Sequence, residues 1–308
     1  MQERIVILTS YMRPEMTKRS IERISNWKKL KKLVVVIDGL RQGATNQEDS
    51  WRKQTISTVE SFSSISNIEM WVYSNNVGIT EHTLRLQKRS LELDQFPILL
   101  EEDIDLDLDS FNSFEHKAGF SSSIPTLRSG YSHFNHPDVH NLNFKGNLFL
   151  PIWGLSYNSE FVELVEKTWM DKKYDSSIVK NTLAKVLFTS RRTSLSFRRS
   201  VERYWAKYMS WAFLNGNRWD ALANYSLWTQ DLFSSSAINR IANDVGFMDV
   251  RGMNQRVEPS PAPNHTLDAV TVQETTFCFG CEIIGSRILP TLGARLLNSI
   301  NYRLSKQK

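Results

Sequence analysis

Hydrophobic and polar positions follow two alternating periods along the first third of the chain. Short β-branched runs predict buried strands, and the amphipathic segments between them predict helices. The predicted strands are 4–10, 31–39, 68–74 and 96–102, and the predicted helices are 13–27, 46–62 and 79–93. This alternation is typical of a parallel sheet with helices on both faces. We therefore predict an α/β fold with a Rossmann-type, mostly parallel sheet flanked by helices.

The pattern becomes less regular in the second part of the chain. Residues 112–148 are rich in Ser, His, Asn and Gly, and they predict loops with short strands. Residues 151–169 are predicted to pass from a Trp-Gly segment into a helix. Residues 176–213 are predicted to be helical and are basic. Another helix is predicted to begin near Arg218 to Asp220.

The C-terminal part differs in composition from the rest. Three prolines at 256–266 predict a linker or a surface loop. We expect one domain over residues 1–250, with an N-terminal half (1–110) and a second half (111–250). The tail over 251–308 is predicted to end in a basic amphipathic helix. Its apolar positions recur every four residues, at Ile288, Leu292, Leu296, Ile300 and Leu304. Such a helix either lies on an anionic lipid surface or packs on its own domain.

The composition is typical of a soluble globular protein, but it does not identify a ligand. The 308 residues are 41% hydrophobic and 23% charged, as in ordinary soluble proteins. A net charge of +5 is compatible with an anionic substrate, a lipid surface or a nucleic acid. No apolar run is long enough for a signal peptide or a membrane span, so we expect a cytoplasmic location.

The cysteines and histidines give no strong metal or redox signal. Cys278 and Cys281 form a lone C-x-x-C near the C-terminus, without the sequence context of a thioredoxin motif or a complete zinc site. His133, His136 and His140 share one predicted loop, where they either bind a metal or are simply solvated.

An apolar run ends in three consecutive acids, Glu101, Glu102 and Asp103, within the stretch FPILLEEDIDLDLDSF. Mg²⁺ and Mn²⁺ prefer oxygen ligands and often bind one or two carboxylates together with substrate phosphates. The acids therefore either hold a cation or simply mark where a strand leaves the core. Asp38 and the turn at 74–78 follow neighbouring predicted strands. Ligands of parallel sheets bind at that edge.

Other phosphate-binding and nucleophile motifs are absent from the sequence. It has no P-loop, no G-x-G-x-x-G after a strand and no G-x-S-x-G elbow. The aspartates at 105, 107 and 109 alternate with apolar residues, so we expect them on one solvent-facing side of an extended segment. Their spacing does not fit an EF-hand. These absences favour the acidic cluster as the phosphate-handling device.

Seven motifs follow one another over residues 4–247. They are LTSYMRPEMTKRSIERI, VVVIDGL, NVGITEHTLRLQ, LLEED, PIWGLSY, RWDALANYSLW and NDVGF. In this order they resemble the glycosyltransferases of the GT-A fold. The likeness is to a group of bacterial sugar transferases and, more distantly, to N-acetylglucosaminyltransferase I.

The resemblance implies roles for residues on the nucleotide side. Arg13 and Asp38 match positions near the uracil and ribose of a donor. Asn76 and Gly78 match a turn that lets the chain pass close to the nucleotide. The resemblance makes residues 1–110 the nucleotide-binding half and 111–250 the acceptor-side half.

The resemblance also implies a metal ligand and a sugar pocket. Asp103 matches the metal-coordinating acid and Glu101 the leading acid, whereas Glu102 stands where the family usually has Asp. Trp153 and Gly154 match a segment lining the sugar pocket. A tryptophan at that position could equally be a core residue.

Asp220 matches the acid that acts as general base in inverting members. An acceptor hydroxyl must lose its proton as it attacks the anomeric carbon, and a carboxylate can take that proton. An aspartate at a helix start can instead be an N-terminal cap. Both interpretations use the same residue type at the same place.

The function implied is transfer of a sugar from a nucleotide-diphosphate donor, UDP-linked, to a hydroxyl of a glycan or a lipid-linked acceptor. Mn²⁺ or Mg²⁺ is the expected cofactor. The setting implied is bacterial surface-polysaccharide assembly at the inner face of the cytoplasmic membrane, with peripheral membrane contact. The basic run at 190–208 suits an anionic acceptor, and no nucleic-acid-reading module is recognisable. The alternatives are a sugar nucleotidyltransferase and an inactive glycan- or partner-binding module.

Overall fold

The structure is a computed structural model of the chain. It describes residues 3–65, 67–106, 124–130, 144–147, 153–187, 202–203, 205–207, 209–210, 213–214, 218–237 and 242–244. Several predicted features lie outside these residues: the histidine loop, the C-x-x-C, the proline-rich segment, the C-terminal tail, and Asp107 and Asp109.

The elements of the described residues alternate between strands and helices up to residue 101. The strands are β1 (Arg4–Ser10), β2 (Leu30–Ile37), β3 (Ile68–Val72), β4 (Ile98–Glu101), β5 (Ile104–Leu106), β6 (Leu127–Ser129), β7 (Phe144–Asn147), β8 (Leu155–Tyr157), β9 (Ser234–Ala237) and β10 (Ala242–Asp244). The helices are α1 (Pro14–Ser25), α2 (Asn46–Glu60), α3 (Ile79–Leu91), α4 (Ser159–Asp171), α5 (Ser176–Leu187) and α6 (Trp219–Trp228).

Eight of these strands form one sheet in the order β3-β2-β1-β4-β8-β6-β9-β7. The first four strands are parallel, β8 runs antiparallel between β4 and β6, and β9 is parallel to β6. At the far edge β7 is antiparallel to β9, and β5 pairs with β10 in a separate two-stranded sheet. The predicted fold class, a Rossmann-type and mostly parallel sheet flanked by helices, is confirmed.

The central strands are buried on both faces, which explains why their sequences are nearly continuous apolar runs. In β1, Ile5 and Ile7 join a core that also contains residues of α3, α4 and α6, whereas Val6 and Leu8 join a core completed by α1 and α2. Helices therefore cover both faces of the sheet, as predicted.

Local signals in the sequence fix several helix starts. Pro14 occupies the first turn of α1, where its missing amide hydrogen costs nothing. Thr45 and Glu48 form a capping box at the start of α2. The helix predicted over 176–213 begins at Ser176, and α5 ends at Leu187. The described residues between 202 and 214 are again helical.

Ile104 is buried, as expected for one side of an extended segment, but Asp105 is only partly exposed and pairs with Arg19 and Arg23 of α1.

None of the helices in the described ranges combines the length and the apolar character that crossing a bilayer requires.

Asn158 joins the second half of the sheet to α4. Its side chain is fully buried. Its Oδ1 accepts from the amides of Phe161 (3.1 Å) and Thr126 (2.9 Å), and its Nδ2 donates to the carbonyl of Ile124 (2.7 Å). One side chain therefore both caps α4 and holds the segment leading into β6.

We expect Asn158→Ala to lower the free energy of unfolding by about 2 to 4 kcal/mol, because the amides of Phe161 and Thr126 lose the side-chain oxygen that accepts from them. Urea unfolding measures the change. Thr45→Ala, which removes only the capping box of α2, should cost about 1 kcal/mol. Equal losses in the two variants would contradict the role given to Asn158.

Candidate active site at the carboxyl edge of the sheet

The carboxyl ends of β1, β2, β3 and β4 meet at one edge of the sheet because the four strands are parallel. Polar residues follow each of them, and we call this edge the rim. Arg13 follows β1, Asp38 follows β2, Asn76 follows β3, and Glu102 and Asp103 follow β4. The structure thus brings the residues predicted for the nucleotide side onto neighbouring strand ends.

Arg13 lies between the two acids that follow β4. Its Nε donates to Oε1 of Glu102 at 2.8 Å, and its Nη1 lies 2.8 Å from Oδ2 of Asp103. All three side chains are largely buried, with exposed fractions of 13%, 6% and 12%. The sequence predicted that these residues share a site, and their direct pairing is a finding of the structure.

Backbone contacts fix the position of this cluster. The amide of Glu102 donates to the carbonyl of Thr9 at 3.0 Å, and the hydroxyl of Ser20 donates to the carbonyl of Glu102 at 2.9 Å. The carbonyl of Arg13 accepts from both the amide and the hydroxyl of Thr17. Strand β1 and helix α1 therefore both hold the cluster in place.

The cluster contains two carboxylates and one guanidinium. Burial alone would lower the pKa of Arg13, but the charges of Glu102 and Asp103 and its hydrogen bonds to them raise it above its ordinary value. Burial raises the pKa of Glu102 to about 7, Asp103 adds to the rise, and Arg13 opposes it. Glu102 therefore holds a proton more readily than an ordinary carboxyl group, whereas Arg13 favours the ionised form of both acids.

One oxygen of Asp103 is left over. Its Oδ1 is buried and has no hydrogen-bond partner among the described residues. An unpartnered buried carboxylate oxygen fits the preference of Mg²⁺ and Mn²⁺ for hard oxygen ligands. No group of three His, Cys, Asp or Glu side chains placed to hold a metal occurs in the described part of the chain. A cation here would take one protein carboxylate and draw its other ligands from a substrate or water.

A second polar cluster surrounds Asp38. Its Oδ2 accepts from Nδ2 of Asn76 at 2.8 Å, and its Oδ1 accepts from the amide of Gly39 at 2.7 Å and lies 3.2 Å from Nδ1 of His82. Asn76 in turn accepts from the amide of Gly78 at 3.0 Å. The backbone of Gly78, with φ of +84°, adopts a conformation that favours glycine just before α3.

Sequence reasoning missed His82 and Arg52. His82 lies one turn into α3, and its amide donates to the carbonyl of Gly78. Arg52 reaches from α2 and donates to the carbonyls of Asp38 (2.7 Å) and Tyr73 (2.8 Å). The signal available for His82 was a polar residue on a helix that begins at the rim. Arg52 had none, because its partners are backbone atoms distant in sequence.

Glu101 is the last residue of β4 and lies opposite Thr9 in the register of β1 and β4. It is partly buried. The structure therefore places the leading acid in the sheet itself, one residue before the Arg13 cluster.

Trp153 and Gly154 lie directly before β8. Because β8 is antiparallel to β4, the residues that lead into β8 lie at the same edge of the sheet as the carboxyl end of β4. Trp153 is partly buried and packs against the core on the α1 and α2 face, and Gly154 has a φ of +69°. The carbonyl of Trp153 accepts from the hydroxyl of Ser129 at 3.2 Å. The core contact supports the structural alternative for Trp153, while its location stays compatible with a sugar pocket.

Asp220 is the second residue of α6. The cap position is held by Arg218, whose side chain makes no capping hydrogen bond, so Asp220 is not the N-cap. Burial raises the pKa of Asp220 above its ordinary value, against the lowering effects of Arg218 and nearby backbone amides. No hydrogen bond or ion pair joins Asp220 to the Arg13 cluster among the described residues.

A groove of about 670 Å³ lies between α1 and α2, and its lining includes Pro14, the residue that follows Arg13. Its lining is mostly polar or charged, including Lys18, Asp49 and Lys53, and it contains none of the rim acids.

Comparisons with known proteins leave the family open. No protein-family model matches the chain, and no curated protein matches its sequence. Among solved structures, the apo structure of WbbM, described as a bifunctional glycosyltransferase, is similar at 11% sequence identity and a TM-score of 0.32. The match covers 54% of this chain and 33% of that one, so the chain spans about a third of its length. A likeness this weak carries no argument about activity.

Gly39 lets the two strand ends of the Asp38 cluster approach each other. A methyl group at position 39 would lie 2.1 Å from the carbonyl carbon of Asn75 and 2.5 Å from the amide nitrogen of Asn76. These are backbone atoms, so a larger residue at position 39 would have to push the chain apart.

We expect Gly39→Ala to destabilise the protein by about 2 to 4 kcal/mol through this overlap. Gly43→Ala is the control, because a methyl group there has open space and meets only the strain of a positive φ, about 1 kcal/mol. Chemical denaturation of both variants measures the difference. If Gly39→Ala proved as stable as Gly43→Ala, the close approach would not constrain the rim.

Proposed function

We propose that the protein is a glycosyltransferase that moves a sugar from a nucleotide-diphosphate donor, UDP-linked, to a hydroxyl of a glycan or lipid-linked acceptor. The observation that carries the proposal is the acidic pair bridged by Arg13 at the carboxyl end of β4, beside the Asp38 cluster. Ligands of parallel sheets bind along this edge. A bridged acid pair with one unpartnered oxygen suits a diphosphate that arrives with a divalent cation.

In this proposal the donor lies along the rim. The Asp38 cluster receives the nucleoside end, and the turn at Asn76 and Gly78 lets the backbone pass close to it. Asp103 would hold Mn²⁺ or Mg²⁺ through its carboxylate. When bound, the cation supplies positive charge that neutralises the charge building up on the leaving diphosphate.

The acceptor side is assigned to Asp220, Trp153 and Gly154. The acceptor oxygen forms a bond to the anomeric carbon as the bond from that carbon to the diphosphate breaks. The carboxylate of Asp220 takes the hydroxyl proton, and the nucleoside diphosphate leaves with the electron pair of the broken bond. Attack from the face opposite the leaving group inverts the configuration of the sugar.

Donor binding can be tested by thermal shift with a panel of nucleotide sugars, with and without Mn²⁺. A ligand that binds only the folded protein raises the melting temperature. We expect a UDP-sugar with Mn²⁺ to raise it by about 3 °C or more. Asp103→Asn should lose the Mn²⁺-dependent part of the shift. Asp105→Asn, two residues further along the chain, should keep it.

Slow metal-dependent hydrolysis of the same donor distinguishes a transferase from an inactive binding module, which would bind without cleaving. The proposal would be contradicted by a panel in which no nucleotide sugar shifts the melting temperature. A shift unaffected by both EDTA and Asp103→Asn would contradict the assignment of the cation.

We expect Asp220→Asn to bind donor normally and to lower kcat for transfer by about 10²- to 10⁴-fold, because the amide cannot accept the proton. Steady-state kinetics and the donor thermal shift measure the two effects separately. Asp171→Asn, at the exposed end of α4, serves as a control and should keep wild-type turnover. Wild-type turnover in Asp220→Asn would exclude the residue as the base.

The pH profile gives a second check on the same residue. Burial raises the pKa of Asp220, and only its ionised form can take a proton. As the pH falls, wild-type kcat should therefore decline at a pH above the usual aspartate pKa of about 4. A profile that stays flat down to that value would argue against a buried base.

A further inference from the structure

We propose that Arg13 is an internal counter-ion that makes cation binding at Asp103 depend on a diphosphate ligand. The inference rests on the proposed function insofar as it takes Asp103 as the cation ligand. Arg13 acts through Asp103 in this scheme and is therefore a positioning residue.

The first argument is geometric. Oδ2 of Asp103 is occupied by Nη1 of Arg13 at 2.8 Å, and Oδ1 is buried from solvent. Neither oxygen is both open to solvent and free of a cation. A metal ion that arrives from solvent therefore reaches the unpartnered Oδ1 only if the Asp103 side chain turns, and that turn moves Oδ2 away from Nη1 of Arg13.

The second argument concerns charge. When both carboxylates are ionised, Glu102 and Asp103 together with the guanidinium of Arg13 carry one net negative charge in a largely buried site. A divalent cation alone would make the net charge of the site positive. It would also be repelled by the guanidinium of Arg13, because water screens charges poorly in a buried site. The two negative charges of a nucleotide-sugar diphosphate return the site to net negative. Cation and diphosphate should therefore favour each other's binding.

The released guanidinium would also gain a new partner. Arginine forms strong, often bidentate hydrogen bonds with phosphate oxygens. Exchange of a carboxylate for a phosphate keeps the charge of Arg13 paired throughout. A cation that binds without a nucleotide provides no phosphate to pair with the released guanidinium. The structure therefore favours binding of the cation and the nucleotide together.

Manganese titration followed by the EPR signal of free Mn²⁺ tests this without any transfer reaction. Wild-type protein should bind Mn²⁺ weakly, and UDP should tighten that binding by about tenfold or more, as expected for a coupling of over 1 kcal/mol. Arg13→Gln should bind Mn²⁺ alone about tenfold more tightly than wild type, with most of the UDP dependence lost. Arg19→Gln is the matched control, because it removes a positive charge of α1 that pairs with Asp105 instead. It should behave as wild type.

A second variant guards against misfolding. It also distinguishes the effect of removing the Arg13 contact to Asp103 from the effect of changing the net charge of the site. Arg13→Gln leaves two acids without their cation, whereas Arg13→Gln with Glu102→Gln carries one net negative charge, as wild type does when both acids are ionised. We expect this double variant to bind Mn²⁺ alone more tightly than wild type, because the oxygen of Asp103 is no longer occupied. Adding Asp103→Asn to it should abolish that binding.

Two results would overturn the inference in different ways. In the first, wild type binds Mn²⁺ with UDP through Asp103, but neither Arg13 variant binds Mn²⁺ alone more tightly than wild type. Arg13 then does not control cation binding, and the proposed function stands. If no variant binds Mn²⁺ through Asp103 even with UDP, the cation site and this inference fail together.

Discussion

The buried ion pairs that Arg13 makes with Glu102 and Asp103 are the interaction on which the rest of the rim depends. They connect the loop after β1 to the end of β4, and the start of α1 is fixed beside them. Removing one partner of a buried pair typically costs about 3 to 5 kcal/mol, yet apolar residues of similar size are often as stable. Stability alone therefore does not explain why these buried residues are charged, whereas binding of a charged ligand would explain it.

The parallel arrangement of β1 to β4 gives this cluster its setting. It places the Asp38 cluster on the neighbouring strand ends, with Gly39 allowing the backbones to approach. The two clusters differ in character. Glu102 and Asp103 are buried and paired with a guanidinium, whereas Asp38 is bonded to an exposed asparagine and a histidine. One suits a diphosphate with its cation, and the other suits the polar groups of a nucleoside.

Most of the first half of the fold could be predicted from the sequence, because strand and helix periods differ and Pro14 and Thr45 mark helix starts. Convergence of Asp38, Asn76 and the acids also followed, since parallel strands share a carboxyl edge. The antiparallel β8 and the pairing of β5 with β10 did not follow, because short strands are chosen by distant partners. The ion pair of Arg13 spans 89 residues and has no local signal. For Asp220 the sequence located the helix start within two residues, and only the structure excluded the cap.

A crystal soaked with UDP and Mn²⁺, with diffraction data collected at the manganese absorption edge, tests the central claim most directly. The account predicts an anomalous peak within coordination distance of the Asp103 carboxylate and of the UDP diphosphate, with the Arg13 side chain turned from Asp103 toward phosphate. A nucleotide bound elsewhere, or an Asp103 still paired with Arg13 and distant from any manganese peak, would contradict it.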